Sequence, residues 1–425
     1  MPPVDRVLSV LQAPAPGIPL IVGGCASGRT TLLRHLALRL GHDTTPVYLD
    51  LERLATTPEQ CYRALLRYAR PGDANGTLPA PATLSSPREA FTAILQVLST
   101  STSSSGRPFT FLLDEVLELR TFESFPGLKP VMRELGEGLA RSRNRFVVAS
   151  RFPLRASRVL AWPGVVAVPI ERMPVHGVSW APGALDGLDA YECRQVLALA
   201  DGRLGYAVLI AEALRAARRT GLADAVGALT EQLLPGAPLD QRLRLSYEVR
   251  LQRARGYGAL RAILDALAEQ QPMNLTQIAQ RMHRTPGSTK DYLSWLLDVD
   301  LLEVDRKRYT ITDPLLRLWI RLNNGAEPPA DYVVAREVQR YATDRIDAAL
   351  PATSRPTCLR RCALHRAASS KSTEPSSSPV RARRAASCSA SFLLRPDASA
   401  STTPPTRTAT WKVLSWSGPS SPTVR

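Results

Sequence analysis

The chain has 425 residues, 44% of them hydrophobic, which is enough for roughly two to four domains with cores of their own. Its net charge of +16 is mostly a property of residues 351–425, which hold 12 Lys or Arg and 2 Asp or Glu. No stretch approaches the ~20 apolar residues of a membrane span, and the six scattered cysteines fit neither a zinc site nor a disulfide scaffold. These features predict a protein of the reducing cytoplasm that has no membrane partner.

The first predicted elements are a strand, a glycine-rich loop and a helix. The apolar run Ile18–Val22 predicts a buried parallel strand, and leucines at helical spacing begin at Leu32. The segment between them has the spacing of a phosphate-binding loop, G-x-x-x-x-G-[K]-[ST]. Glycines there let backbone N–H groups approach phosphates, and the helix N-terminus adds partial positive charge. The expected nucleotide contacts are Gly23, Gly24, Ser27, Gly28, Arg29, Thr30 and Thr31.

Two positions of this loop determine the expected chemistry. Thr30 lies where a hydroxyl would hold Mg²⁺. Arg29 stands where lysine is expected, and its guanidinium is a wide planar fork, whereas a lysine ammonium is a compact point charge. The sequence therefore predicts that ATP and Mg²⁺ bind and that hydrolysis is slow.

The next elements predict an α/β fold with a parallel sheet. Strands at 46–51, 109–115, 145–151 and 165–170 alternate with helical patterns near 57–70, 87–99 and 128–141. Ligands of such sheets bind at the carboxyl ends of the strands. The glycine loop, the acidic pair and the polar end of the 145–151 strand all follow strands in this way. Residues 1–175 are therefore expected to form a P-loop ATPase core.

Three charged residues at these strand ends are the predicted catalytic group. Asp114 would hold the Mg²⁺ hydration shell, and Glu115 would orient the attacking water. Arg151, or Ser150 beside it, would sense the γ-phosphate, because a guanidinium suits phosphate recognition. Alternatively, the two carboxylates are simply a polar strand end, and Arg151 is a surface ion-pair residue.

The pattern then becomes helical. Residues 176–250 predict a helical lid, and 251–325 predict a winged helix-turn-helix, because three amphipathic helices precede a hairpin with a basic tip. Residues 326–350 predict a helical extension. Residues 351–425 are rich in Ser, Arg, Ala, Thr and Pro without periodicity, which predicts a disordered tail. The same composition also fits a GC-rich gene read out of frame.

The winged helix has candidate contacts for DNA or for a partner protein. The set combines the second helix of the motif with the hairpin tip, and it consists of Ser288, Thr289, Lys290, Arg306, Lys307 and Arg308. The 286–298 helix itself is not basic, since it has one lysine and two aspartates. The sequence leaves open a DNA reader and an internal protein-interaction or autoinhibitory module. A protein partner and self-association also stay open.

Several of these segments together carry a family resemblance. Gly-Gly-Cys-Ala-Ser-Gly-Arg-Thr-Thr, Val-Tyr-Leu-Asp-Leu-Glu, Phe-Leu-Leu-Asp-Glu and Val-Val-Ala-Ser-Arg follow one another as in the archaeal-type P-loop ATPases, which belong to the STAND branch of the AAA+ proteins. The stretch from Tyr309 to Trp319 resembles their winged helix. The resemblance covers about 15–325 and implies an ATP-Mg²⁺ switch whose lid and winged helix move with nucleotide state. In the lid, Leu204 stands where the family has the proline of a Gly-x-Pro motif.

The sequence thus predicts an ATP-binding, slowly hydrolysing molecular switch with a winged helix for DNA or partner binding. The alternative is a catalytically weak, nucleotide-binding, DNA-associated transcriptional regulator.

Overall fold

The computed structural model describes residues 2–13, 15, 17–41, 44–69, 78–175, 183–219, 221, 224–254, 256–325 and 327–349. The first part of the chain alternates strands and helices. Its strands are β1 (Ile18–Val22), β2 (Thr45–Asp50), β3 (Phe109–Asp114), β4 (Arg145–Ser150) and β5 (Val165–Pro169). Its helices are α1 (Pro3–Leu11), α2 (Arg29–Leu40), α3 (Leu51–Leu54), α4 (Pro58–Tyr68), α5 (Pro87–Thr100), α6 (Val131–Ala140) and α7 (Pro153–Val159). Two 3₁₀ segments, Pro81–Thr83 and Val116–Ser124, complete this part.

The five strands form one parallel sheet in the order β2-β3-β4-β1-β5. All six residues of β3 are buried, as expected for a central strand covered by helices on both faces. Leu32, Leu33 and Leu36 bury one face of α2 on this sheet. The predicted α/β fold with a parallel sheet is confirmed, and the carboxyl ends of β1, β3 and β4 are neighbours at one edge.

A helical segment follows the sheet. It contains α8 (Ala190–Leu199), α9 (Leu204–Arg218), α10 (Ala225–Leu233) and α11 (Pro238–Arg253). The Asp189 side chain caps α8 and forms a capping box with Glu192. Fully buried Leu199, Ile210 and Leu214 join the same hydrophobic core as the sheet, so these helices pack as one body with the rest of this part of the chain.

The next elements combine helices with a small three-stranded sheet. They are α12 (Tyr257–Glu269), β6 (Met273–Asn274), α13 (Leu275–Arg281), α14 (Pro286–Asp298), β7 (Leu302–Asp305) and β8 (Arg308–Ile311), followed by α15 (Pro314–Leu322) and α16 (Asp331–Ala349). Asn274 and Gln277 form a capping box at the start of α13, and Thr285 caps α14, which has a proline at its first position. The strand β6, which pairs antiparallel with β8, was not predicted, because two residues are too few for periodicity.

The residues 2–349 belong to a single compact unit, so the boundaries at 175, 250 and 325 stay predictions. The prediction for the tail lies outside the described residues. No described helix is long and apolar enough to cross a membrane.

Candidate functional site

The loop between β1 and α2 turns sharply before the helix begins. Ala26 and Gly28 have φ values of 60° and 99°, a left-handed conformation that glycine adopts without steric cost. No side chain caps the first turn of α2, so its backbone N–H groups are available to an anion.

Two features inside the loop suit a phosphate. A Cβ at residue 23 would lie 2.6 Å from Ser27 Oγ, so glycine at this position lets the loop fold this closely without displacing the Ser27 side chain. The Ser27 hydroxyl is buried and has no hydrogen-bond partner among the described residues. An unsatisfied buried hydroxyl is costly, and a phosphate oxygen in the loop would satisfy it.

Arg29 folds back into the loop. Its Nη1 donates to the carbonyl oxygens of Gly23 and Gly24, the second at 2.8 Å. Its Nη2 donates to Glu115 Oε1 at 2.6 Å. A planar guanidinium is suited to such a three-way bridge, and this bridge ties the loop to the end of β3.

Asp114 forms the predicted pair with Thr30. Its Oδ2 accepts from Thr30 Oγ1 at 2.8 Å and from the Tyr48 hydroxyl at 3.0 Å. Burial and the charge of Glu115 raise the pKa of Asp114, while the hydrogen bond from Thr30 opposes the rise. A hydroxyl and a carboxylate side by side are oxygen ligands of the kind Mg²⁺ prefers.

Glu115 is held by two arginines. Arg151 Nε lies 3.0 Å from Glu115 Oε1, and the Arg151 backbone N–H donates to Oε2 at 3.1 Å. Burial raises the pKa of Glu115, but the positive charges of Arg29 and Arg151 outweigh it, so the pKa lies below its ordinary value. Arg151 also pairs with Glu52 of α3. Two of the three predicted catalytic residues, Glu115 and Arg151, are therefore engaged with each other in this conformation.

These groups face a cavity of about 640 Å³. One wall comes from the loop and the strand ends, including Arg29, Thr30, Asp114 and Arg151. The opposite wall comes from the helix α11, through Arg242, Leu245, Ser246, Val249 and Arg250. Of the predicted nucleotide contacts, Arg29 and Thr30 line this cavity, whereas Gly24 and Ser27 line a smaller cavity beside Asp300 and Thr31 is exposed.

Several residues that connect this site to other elements were missed by the sequence reasoning. Tyr48, Glu52 and Arg250 stand in apolar or mixed patterns that give no sign of a shared cavity. Arg203 is buried, and it donates to Cys25 O at 2.9 Å and to Thr312 O at 3.2 Å. The only sequence signal for it is an arginine within the Asp-Gly-Arg-Leu-Gly turn between two apolar helices.

The predicted DNA or partner contacts on α14 and the β7–β8 hairpin differ in exposure. Lys290 and the hairpin residues Arg306, Lys307 and Arg308 are exposed. Ser288 is half-buried, and its hydroxyl donates to Thr285 O at 3.1 Å. The expectation for Thr289 is wrong, because its side chain is fully buried and donates to Thr285 O at 2.9 Å. Helical periodicity places Thr289 one turn before Leu293, on the inward face.

The comparisons with known proteins concern the fold. Neither a protein-family model nor a curated protein matches this chain. The Walker-type ATPase paby2304 of Pyrococcus abyssi is similar in structure, with a TM-score of 0.55 and 16% identity over 75% of this chain and 94% of that one. This chain has the fold of the Walker-type P-loop ATPases.

Two further solved structures resemble it more distantly. Cdc6p from Pyrobaculum aerophilum has a TM-score of 0.38 and 13% identity over 80% of this chain and 92% of its own. The RuvB Holliday junction branch migration motor of Thermotoga maritima has a TM-score of 0.36 and 13% identity over 73% of this chain and 89% of its own.

Proposed function

We propose that this P-loop protein binds ATP with Mg²⁺ in the cavity between the glycine loop and α11, hydrolyses it slowly, and acts as a nucleotide-dependent switch of the AAA+ STAND type. The observation that carries the proposal is the meeting of three features at one sheet edge. They are an uncapped helix N-terminus behind a glycine loop, the pair of Thr30 and Asp114, and the ion pair of Glu115 with Arg151.

Each residue has a role that its position supports. The loop N–H groups and Ser27 would receive phosphate oxygens. Thr30 and Asp114 would hold Mg²⁺, which when bound neutralises phosphate charge. Glu115 would orient water once its ion pairs rearrange, and Arg151 would contact the terminal phosphate. Slow turnover is expected because Arg29 engages Glu115 at 2.6 Å.

Replacing Thr30 by valine is expected to weaken ATP binding in Mg²⁺ by roughly 10- to 100-fold, because one hydrogen bond to a charged group contributes about 1.5–3 kcal/mol. Isothermal titration calorimetry with ATP measures this in Mg²⁺ and again in EDTA. The loss should be small in EDTA, since the hydroxyl acts through the metal.

The matched control is Thr343→Val. The Thr343 hydroxyl donates to Gln339 O within α16 and does not line the cavity. Wild-type protein that shows no binding at millimolar ATP would contradict the proposed function. Equal affinities of wild type and Thr30→Val in Mg²⁺ would contradict the metal site.

A second candidate function is duplex DNA binding by the winged helix. It is supported by the exposed hairpin tip, where Arg306 and Lys307 form the turn with φ values of 47° and 64°. Arg306, Lys307 and Arg308 form no ion pair with the described residues, so their charges are available to backbone phosphates. In this reading the protein is a nucleotide-controlled DNA-associated regulator.

Changing Arg306 and Arg308 together to alanine is expected to weaken duplex binding and to flatten the slope of log affinity against log salt by up to about 1.8, since each lost phosphate contact removes about 0.9. Fluorescence anisotropy over a salt series measures both quantities in the full chain. The basic tail is present in both proteins, so its contribution cancels in the difference.

The paired change Arg63→Ala with Arg67→Ala serves as control, because both residues are exposed on α4. If the hairpin and control variants lose the same slope, the hairpin is not the DNA contact, and the winged helix is then an interaction or autoinhibitory module.

A further inference from the structure

The turn between α14 and β7 places a carboxylate on the glycine loop. Asp300 lies in this turn with a φ of 57°. A Cβ built on Gly24 would lie 2.5 Å from Asp300 Oδ2, which is closer than real Cβ contacts allow. The Asp300 carboxylate therefore lies against the backbone of the loop, and a side chain at residue 24 would displace it from this position.

The Asp300 carboxylate has no direct partner in the described part of the chain. No donor hydrogen-bonds to either carboxylate oxygen, and no Lys or Arg side chain forms an ion pair with it. The residue is fixed through its backbone instead, since Arg250 Nη1 donates to Asp300 O at 2.8 Å. An acidic group is thus held against an anion-binding loop, where the charges of Arg250 and Arg203 act on it without a direct hydrogen bond or ion pair to its carboxylate.

Hydrogen bonds and an ion pair fix this turn against the loop. Arg203 donates to Cys25 O of the loop and to Thr312 O just after β8. Arg172 donates to the same Thr312 carbonyl at 3.2 Å. Near the C-terminal end of α14, Arg158 of α7 pairs with Asp298. The lid, the core and the winged helix therefore hold Asp300 at the loop from several sides.

Asp300 and the loop residue Arg29 are near enough for their charges to interact. Burial raises the pKa of Asp300, and the charges of Arg250 and Arg203 oppose the rise more strongly than that of Arg29, whose guanidinium lies inside the loop. Phosphates bound by the loop N–H groups would occupy the same region as that guanidinium. Two negative charges would then lie close together in a partly desolvated place, where Coulomb repulsion is stronger than in water.

We propose that Asp300 makes docking of the winged helix on the glycine loop and binding of nucleotide phosphates mutually antagonistic, so that nucleotide binding releases the turn between α14 and β7. This inference rests on the proposed nucleotide binding and names Asp300 as the residue that regulates it. The coupling is reciprocal: whatever holds the winged helix away from the loop raises nucleotide affinity by the same factor.

Replacing Asp300 by asparagine is expected to raise the affinity for ATP-Mg²⁺ roughly five- to tenfold. This is the effect of removing a carboxylate charge about 8 Å from a phosphate charge, in surroundings with an effective dielectric constant near 40. Asparagine keeps the side-chain shape and tolerates a positive φ. Calorimetry is carried out at pH 8, so that the wild-type carboxylate is ionised despite its burial. The matched control Asp305→Asn removes the same charge from the exposed hairpin end.

The second measurement follows the turn itself. In wild-type protein, ATP-Mg²⁺ is expected to increase backbone amide hydrogen exchange in residues 299–304, and in Asp300→Asn the increase should be smaller. A selective gain in affinity for Asp300→Asn together with this exchange pattern supports the antagonism. If all three proteins bind ATP with equal affinity, or if ATP protects residues 299–304, the antagonism is wrong while nucleotide binding stands. If neither wild type nor Asp300→Asn binds ATP, the proposed function itself fails.

Discussion

Replacing Arg203 by methionine is expected to lower the free energy of unfolding by about 3–5 kcal/mol, because removing one partner of a buried charge cluster leaves the others uncompensated. Arg203 Nε lies 3.6 Å from Asp313 Oδ2 and 3.9 Å from Asp201 Oδ2, and all three side chains are at most 6% exposed. Its two other nitrogens bond to Cys25 O and Thr312 O. Methionine fills similar volume but satisfies none of these groups.

The measurement is urea unfolding followed by circular dichroism. Arg172→Met is the matched control, because Arg172 pairs with the same Asp201 at 2.8 Å but is 50% exposed. Exposed ion pairs contribute only about 0–1 kcal/mol, so this variant should unfold close to wild type. Similar losses for both variants would show that burial of Arg203 is not what makes the cluster important.

Replacing Arg29 by lysine is expected to raise ATP turnover by roughly 10- to 100-fold. This gain is at or below the roughly 10²- to 10³-fold change in kcat that one hydrogen-bond donor to the transition state contributes. The arginine now bridges two loop carbonyls and Glu115. A lysine ammonium is compact and cannot make this planar bridge. It would lie between the phosphates, where charge develops, and would leave Glu115 able to orient water.

Steady-state phosphate release at saturating ATP-Mg²⁺ measures this change in kcat. Arg34→Lys is the control, since Arg34 lines the same cavity but is exposed on the outer turn of α2. Turnover that stays unchanged or falls in Arg29→Lys would mean that the loop has adapted to arginine and that Arg29 does not weaken the site.

The elements of the core were predictable because their signals are local. The strands β1, β3 and β4 are apolar runs that end in glycine or polar residues, and parallel strands end at the same sheet edge. The pairing of Thr30 with Asp114 follows from that rule alone, without any knowledge of side-chain positions. The capping box at Asn274 and the N-cap at Thr285 likewise each involve only four consecutive residues.

The error at Thr289 has a different origin. Its hydroxyl suggested a polar contact, whereas the helical period places it on the inward face with Leu293 and Leu296. Threonine can be buried in a helix when its hydroxyl bonds to a carbonyl one turn back, as it does to Thr285 O. Residue type alone therefore does not decide exposure.

The sequence by itself determined the fold class, the glycine loop and the acidic strand end, since each depends on residues that are close together in the chain. Only the tertiary structure decided the state of the site. It brought Arg29 and Arg151 onto Glu115, α11 onto the cavity, and Asp300 onto Gly24. These contacts join residues tens to hundreds of positions apart, and the type of a charged residue does not reveal which distant residue it will contact. Whether a carboxylate orients water, forms an ion pair or repels a phosphate is set by what packing places beside it.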